Sequence, residues 1–189
     1  MTIVQQVATL RKRAGLPATR IGEIAGTDAS NIYAIEHGRR DPAASTLERI
    51  ASAAGVKILA VQSEGAAFVS ETTEVLRERV ASGDVEGAYR QLIQISDDLS
   101  GATATTCVFL TYIEPSAISP GWDAAVAGVV EWRLTQKLAP LPEWIQRFGS
   151  AVDEPWEPLS APYKINEQDV PEPLRRRNIW IEQAELESV

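Results

Sequence analysis

Few side chains in this sequence have the chemistry needed to make or break covalent bonds. There is one His, His37, and one Cys, Cys107. Nucleophilic catalysis needs a base beside the nucleophile, and zinc sites need several His or Cys ligands. The sequence also lacks a glycine-rich phosphate-binding loop. It therefore predicts a protein that is not an enzyme and that has no cofactor and no metal site.

The basic side chains indicate phosphate recognition instead. Residues 1–60 contain eight Lys and Arg against five Asp and Glu, a net charge of +3, whereas residues 61–189 carry −11. The whole-chain charge of −8 hides this asymmetry. A basic segment joined to an acidic one is typical of a nucleic-acid-binding module attached to a unit with another partner.

Short amphipathic helices must position these groups. Residues at spacings of four, three and four form one apolar helical stripe near the N-terminus: Ile3, Val7, Leu10 and Ala14. The segment from Ser45 to Glu48 has the spacing of a capping box, so a helix is expected to begin at Ser45. Because helices of about eight residues are marginally stable alone, we expect them to pack into one compact bundle.

Composition divides the chain into two domains. We expect an N-terminal domain over residues 1–61 and a mainly helical domain over 68–189. Helices are predicted in the second domain over 71–81, 85–95 and 121–138. Residues 102–113 fit either a buried helix or a strand, because they are rich in β-branched side chains. Seven of the eleven prolines fall in residues 139–173, so the tail 139–189 is expected to be largely irregular.

Three segments in the first domain follow one another with characteristic spacing. They are LRKRAGL (10–16), IGEIAGTDASNIYAIEHGRRDP (21–42) and STLERIASAAGV (45–56). Together they resemble the helix-turn-helix domain of Cro/repressor-type proteins, often called the XRE family. The resemblance implies a five-helix bundle, a buried structural ion pair between Arg11 and Glu36, and a sequence-specific transcriptional repressor that binds double-stranded DNA.

The helix that begins after Asp28 is expected to enter the major groove, where its N-terminal residues reach base edges. The predicted contacts lie on the face away from the buried Ile32 and Ile35: Ala29, Ser30, Asn31, Tyr33 and Ala34. Ser30 and Asn31 can hydrogen-bond to bases or phosphate, whereas the alanines offer apolar contact. The guanidinium groups predicted to contact phosphate are those of Arg20, Arg39 and Arg40.

Two departures from the family pattern weaken the expected DNA contact. Pro17 and Ala18 stand where the family usually has a Ser/Thr cap and a DNA-contacting Gln. Asp28 adds a negative charge close to the path of the phosphates. We therefore expect weak binding by a monomer and specific binding to a palindromic operator by a homodimer.

The C-terminal sequence carries a second resemblance. VPEPLRRRNIWIEQAELESV (170–189), after a Trp- and Pro-rich stretch, resembles the tails of XRE-type antitoxins encoded beside nucleotidyltransferase-like toxins. The resemblance implies an antitoxin of a toxin–antitoxin operon that represses its own operon and neutralises the toxin from the neighbouring gene. Two alternatives stay open, since the second domain would equally suit small-molecule sensing or dimerisation alone.

Residues 141–189 are predicted to form most of the contact with a partner protein. The residues expected near its centre are Arg175, Arg176, Arg177, Ile179, Trp180 and Ile181, because Trp and Arg dominate interface energetics. Deleting 170–189 is then expected to leave a folded, dimeric, DNA-binding protein.

The N-terminal sequence lacks the pattern of a secretory signal, and no run of residues approaches the length of a membrane span. The sequence therefore predicts a cytoplasmic protein with no membrane contact.

Overall fold

The computed structural model describes residues 2–63, 65–149, 151–159 and 164–187. The chain divides into two compact units, Met1–Ala60 and Val61–Val189. Over the described ranges it has eleven α-helices and one 3₁₀ helix. No β-strand occurs in those ranges, where strand-like pairing is limited to an isolated parallel bridge between Trp156 and Ile179. The prediction of a mainly helical protein is confirmed.

Four helices form the described part of the first unit: α1 (Ile3–Arg13), α2 (Ala18–Ala25), α3 (Ala29–Glu36) and α4 (Ala44–Ala53). The expected fifth helix is absent from residues 2–63, so the number predicted for the bundle is wrong. The chain leaves α4 through Gly55 at a φ of 73°, and residues 56–63 form no helix. β-Branched side chains at Val56, Ile58 and Val61 lower the helix propensity of this short stretch.

The four helices enclose a small apolar core. Its buried members are Val7, Ala18, Ile21, Ala25, Ile32, Ile35, Ile50, Ala51 and Ala54. Each helix contributes one face to this core and leaves the opposite face to solvent, as expected for short amphipathic helices. Because these helices are too short to be stable alone, the shared core is what holds α3 in place.

The second unit is built around one buried helix. Its longer helices are α5 (Val69–Ala81), α6 (Val85–Gly101), α7 (Ala104–Leu110) and α8 (Pro120–Gln136). Thirteen of the seventeen residues of α8 are buried, which fits a mostly apolar helix that packs against α6 and the tail. The ambiguous segment 102–113 forms α7, which is capped by the Thr103 side chain.

The described part of the tail is irregular in local structure, and yet many of its side chains belong to the core. Its elements are α9 (Trp144–Arg147), a 3₁₀ helix (Glu167–Asp169), α10 (Glu172–Arg175) and α11 (Gln183–Leu186). α10 packs on α8 so closely that a Cβ added to Gly128 would lie 2.6 Å from Leu174 Cδ2. No helix in the described ranges is both long enough and apolar enough to cross a lipid bilayer.

Candidate nucleic-acid interface

A tight turn between α2 and α3 sets the position of α3. Gly26 ends α2 with a φ of 66°, a conformation that favours glycine, and Thr27 N donates to Gly22 O. A Cβ on Gly22 would lie 2.5 Å from the Thr27 carbonyl oxygen. The turn therefore approaches α2 so closely that only glycine fits at position 22 without a shift of the backbone.

α3 places its apolar and polar side chains on different sides. Ile32 and Ile35 are buried in the core, whereas Ser30 and Tyr33 are exposed. The other three predicted contact residues, Ala29, Asn31 and Ala34, are half-buried. Ala29 also packs against the core, so part of its surface is used inside the unit. The accessible face of α3 thus combines a hydroxyl, an amide, a phenol and small apolar groups, all of which can contact a major groove.

A chain of hydrogen bonds crosses this face. Asn31 Nδ2 donates to Thr27 Oγ1 at 2.8 Å, and Arg40 Nη1 donates to Asn31 Oδ1 at 2.9 Å. Asn31 therefore contacts both the turn before α3 and the loop after it. Helical periodicity does not predict this arrangement, because a contact between residues nine apart depends on how the loop after α3 folds back.

The three arginines predicted to contact phosphate are all exposed. Arg39 N and Arg40 N both donate to Ala34 O, at 2.8 and 3.2 Å, which folds the loop back over the end of α3. Arg20 lies on α2 and forms an exposed ion pair with Glu23 at 3.0 Å. Such pairs contribute little to stability, so the Arg20 guanidinium stays available to an anion.

Arg11 and Glu36 form a buried, two-pronged ion pair. Arg11 Nε and Nη2 donate to the two Glu36 carboxylate oxygens at 2.7 and 2.9 Å, and each side chain is 6% exposed. Hydrogen bonding to Glu36 raises the pKa of Arg11 above its ordinary value. Arg11 Nη1 also donates to Leu16 O. This one guanidinium thus joins α1, the loop after it and the end of α3, and its burial leaves it little surface for DNA.

The predicted partner-binding residues of the tail differ in how far they are buried. Ile179 and Ile181 are 0% and 1% exposed, and Arg177 is 6% exposed. The prediction that these three residues face a partner is therefore wrong. They are interior residues, because alternate side chains of the segment point into the core. Arg176 is exposed, and Arg175 and Trp180 are half-buried, so these three stay accessible.

Comparison with known proteins identifies the first unit. Residues 3–60 match the family model described as "Helix-turn-helix domain". The "Immunity repressor protein" of Bacillus phage phi105 is 32% identical over 74 residues, which cover 39% of this chain and 51% of that protein. The chain thus spans about half the length of this curated relative. No solved structure matches the chain. Residues 3–60 are therefore similar to a helix-turn-helix domain, and the match to a phage repressor supports a segment of the Cro/repressor type.

Proposed function

We propose that this protein is a sequence-specific DNA-binding transcriptional repressor. The observation that carries the proposal is the accessible face of α3, flanked by Arg39 and Arg40 and held by the buried pair of Arg11 and Glu36. A rigid helix with polar side chains along one face and guanidinium groups beside it suits a major groove bordered by phosphates. The similarity to a phage repressor supports the same role.

The protein is proposed to act as a homodimer on a palindromic operator. A single helix-turn-helix domain contacts about half a turn of the groove, and two related by symmetry contact half-sites about 34 Å apart. Pro17 and Ala18 lack the side-chain amide that would add a DNA contact, which makes the second copy necessary for tight binding. Such a dimer would bind in the cytoplasm to DNA near its own promoter.

Fluorescence anisotropy tests the proposal by measuring the affinity of the protein for the DNA upstream of the protein's own gene, at a series of salt concentrations. We expect Arg39→Ala to weaken binding to every sequence and to lower the salt slope by about one unit, because one phosphate contact is lost. Arg147→Ala, which removes an exposed guanidinium from the second unit, is the matched control and should bind as the parent does. Absence of any binding at low salt would disprove the repressor role.

We further propose that the repressor is the antitoxin of a toxin–antitoxin operon. The support is the resemblance of residues 170–189 to antitoxin tails, together with the net charge of −11 over 61–189, which suits a basic partner. Since Ile179 and Ile181 are interior, the partner contact is assigned to the accessible Arg175, Arg176 and Trp180.

Co-expression with the neighbouring gene tests the antitoxin role. We expect the two proteins to purify together, and Arg175→Ala to weaken capture without changing the melting temperature. Arg77→Ala, which removes an exposed guanidinium from α5 outside the tail, should leave capture intact. The antitoxin role is wrong if the product of the neighbouring gene is not toxic when expressed alone. It is also wrong if that product is toxic and co-expression of this protein does not neutralise it.

Small-molecule sensing is the second candidate for the second unit. A cavity of about 550 Å³ is lined by Asp97, Ser100, Gly101, Arg133 and Glu187, which supply both charge signs for polar ligands. A metabolite that changes operator affinity in the anisotropy assay, with no toxin in the neighbouring gene, would favour this role over the antitoxin.

A further inference from the structure

The loop after α3 directs the Arg40 side chain back along the accessible face of the helix. The backbone of this loop is fixed to the end of α3, since Arg39 N and Arg40 N share Ala34 O as acceptor. From there the Arg40 guanidinium reaches Asn31, near the N-terminal end of α3. This is the part of a recognition helix that meets base edges in the major groove.

The hydrogen bond to Asn31 fixes the guanidinium and leaves most of it free. An arginine side chain has five N–H donors in one plane, and one donor of Arg40 is given to Asn31 Oδ1. Asn31 is itself fixed, because its Nδ2 donates to Thr27 Oγ1. The remaining donors keep the planar fork that matches the O6 and N7 acceptors of guanine.

We infer that Arg40 recognises a guanine in each half-site and that Asn31, held by Thr27, is the positioning residue that orients its guanidinium. This inference rests on the proposed function and adds to it a base and the residue that contacts it. It changes the roles expected from the sequence, in which Asn31 would contact bases and Arg40 phosphate.

Direct recognition of adenine by Asn31 is the competing interpretation. A bidentate contact to adenine needs both the oxygen and the nitrogen of the amide. In Asn31 the oxygen already accepts from Arg40 and the nitrogen already donates to Thr27. Direct recognition would have to break or share both bonds, whereas recognition by Arg40 uses the arrangement as it stands.

Selection of binding sites from a randomised DNA library by the full-length protein tests the inference. We expect the parent to select a G·C pair at one position of each half-site. Arg40→Lys should lose that preference, by about 5- to 150-fold for one bidentate contact, and should keep the salt slope because the charge is retained. Arg39→Ala is the matched control, with every base preference kept and affinity lowered on all sequences.

The positioning role of Asn31 has its own variants. Asn31→Ala and Thr27→Val should weaken the preference at the same position as Arg40→Lys, and the double variant Asn31→Ala/Arg40→Lys should be no less selective than Arg40→Lys alone. Thr27→Ser keeps the acceptor hydroxyl and should behave as the parent. Melting curves establish that each variant is folded.

Three results would overturn the inference. One is an unchanged selected sequence in Arg40→Lys. Another is an A·T preference that is lost in Asn31→Ala and kept in Arg40→Lys. This result would favour direct recognition of adenine by Asn31. The third is selection of no G·C pair by a parent that binds DNA, which would leave the repressor role standing. A parent that binds no DNA at all would instead disprove the proposed function, and the inference with it.

Discussion

Glu131 on α8 and Arg177 just after α10 form an ion pair inside the second unit. Glu131 Oε2 lies 2.8 Å from Arg177 Nη2, and the side chains are 8% and 7% exposed. Arg177 also donates to the backbone oxygens of Gly149 and Pro173, at 3.0 and 2.7 Å. One buried guanidinium therefore ties two segments of the tail, at Gly149 and around α10, to the central helix.

Glu131→Gln is expected to destabilise the second unit by about 3–5 kcal/mol, because it leaves the buried Arg177 without its counter-charge. All five Trp lie beyond residue 61, so Trp fluorescence during urea unfolding measures this unit alone. The control is Glu172→Gln, whose carboxylate is 58% exposed and lies 3.7 Å from Arg176, with an expected change below about 0.5 kcal/mol. Equal effects of the two variants would contradict the prediction.

Glu36→Ala should destabilise the helix-turn-helix domain by a similar amount, about 3–5 kcal/mol, because Arg11 then lies buried and unpaired. Faster amide hydrogen exchange in α1 and α3 would report this loss. Glu23→Ala removes an exposed partner of Arg20, at 67% exposure, and should leave exchange unchanged. If Glu36→Ala exchanged at the parental rate, the ion pair would contribute nothing to the stability of the domain.

Gly22→Ala tests the close approach of α2 to the turn. Because the new Cβ would lie 2.5 Å from Thr27 O, a backbone atom, the turn must shift, at a cost of about 1–3 kcal/mol. DNA affinity should fall as well, since the shift displaces Asn31 and Arg40. Gly101→Ala is the control, because nothing lies within 4 Å of its Cβ position. A parental melting curve and parental affinity for Gly22→Ala would show that the turn is not tight.

Deletion of 170–189 is expected to unfold the second unit, which replaces the expectation drawn from the sequence. The deletion removes four side chains that are at most 1% exposed: Leu174, Ile179, Ile181 and Leu186. Cooperative unfolding measured by the remaining Trp should be lost, while hydrogen exchange in residues 3–60 stays parental. Ile181→Ala is the milder test, with an expected cost of about 2–5 kcal/mol. A truncated protein that unfolds cooperatively would show that the tail is dispensable.

Two aspartates of the second unit should change stability with pH in opposite directions. Burial raises the pKa of Asp123, despite hydrogen bonds from the backbone of Ile118 and Ser119, so its charge costs stability once the pH exceeds the folded-state pKa. The pKa of Asp84 is lowered, mainly by the hydrogen bond from Gly87 N, so its charge stabilises above the ordinary aspartate pKa.

At neutral pH, Asp123→Asn should therefore raise the free energy of unfolding and Asp84→Asn should lower it. Both differences should disappear as the pH falls below the range where aspartates ionise, because parent and variant are then both neutral. Urea unfolding followed by Trp fluorescence at several pH values measures both variants. Differences of the same sign at neutral pH would contradict the prediction.

Much of the first unit could be predicted from local sequence signals. The spacing of Ile32 and Ile35 indicated the buried side of α3, and the glycines marked where helices end. The capping box at Ser45 was wrong, because α4 begins at Ala44 and Ser45 already lies inside the helix. Ile3 belongs to the predicted stripe and is nevertheless 45% exposed, whereas its neighbour Val4 packs against the core.

The hydrogen bonds that fix Arg40 and the burial of the tail could not be predicted in the same way. Both depend on contacts between residues far apart along the chain or across a loop, for which helical periodicity carries no information. One signal was available in the tail, where Ile179 and Ile181 alternate with Trp180. Such a period of two is typical of an extended segment with one side buried, and the run of three arginines before it obscured this pattern.

The burial of Leu186 has a consequence for synthesis on the ribosome. The first unit draws its core from residues 7–54, so it can fold as soon as this early part of the chain has left the exit tunnel. The second unit needs side chains from Val69 to Leu186, so its packing waits until Leu186 has also left the tunnel. During that interval the nascent chain would carry a finished nucleic-acid-binding module ahead of a partly folded helical segment. This order makes the second unit the one more exposed to chaperones and proteases before release.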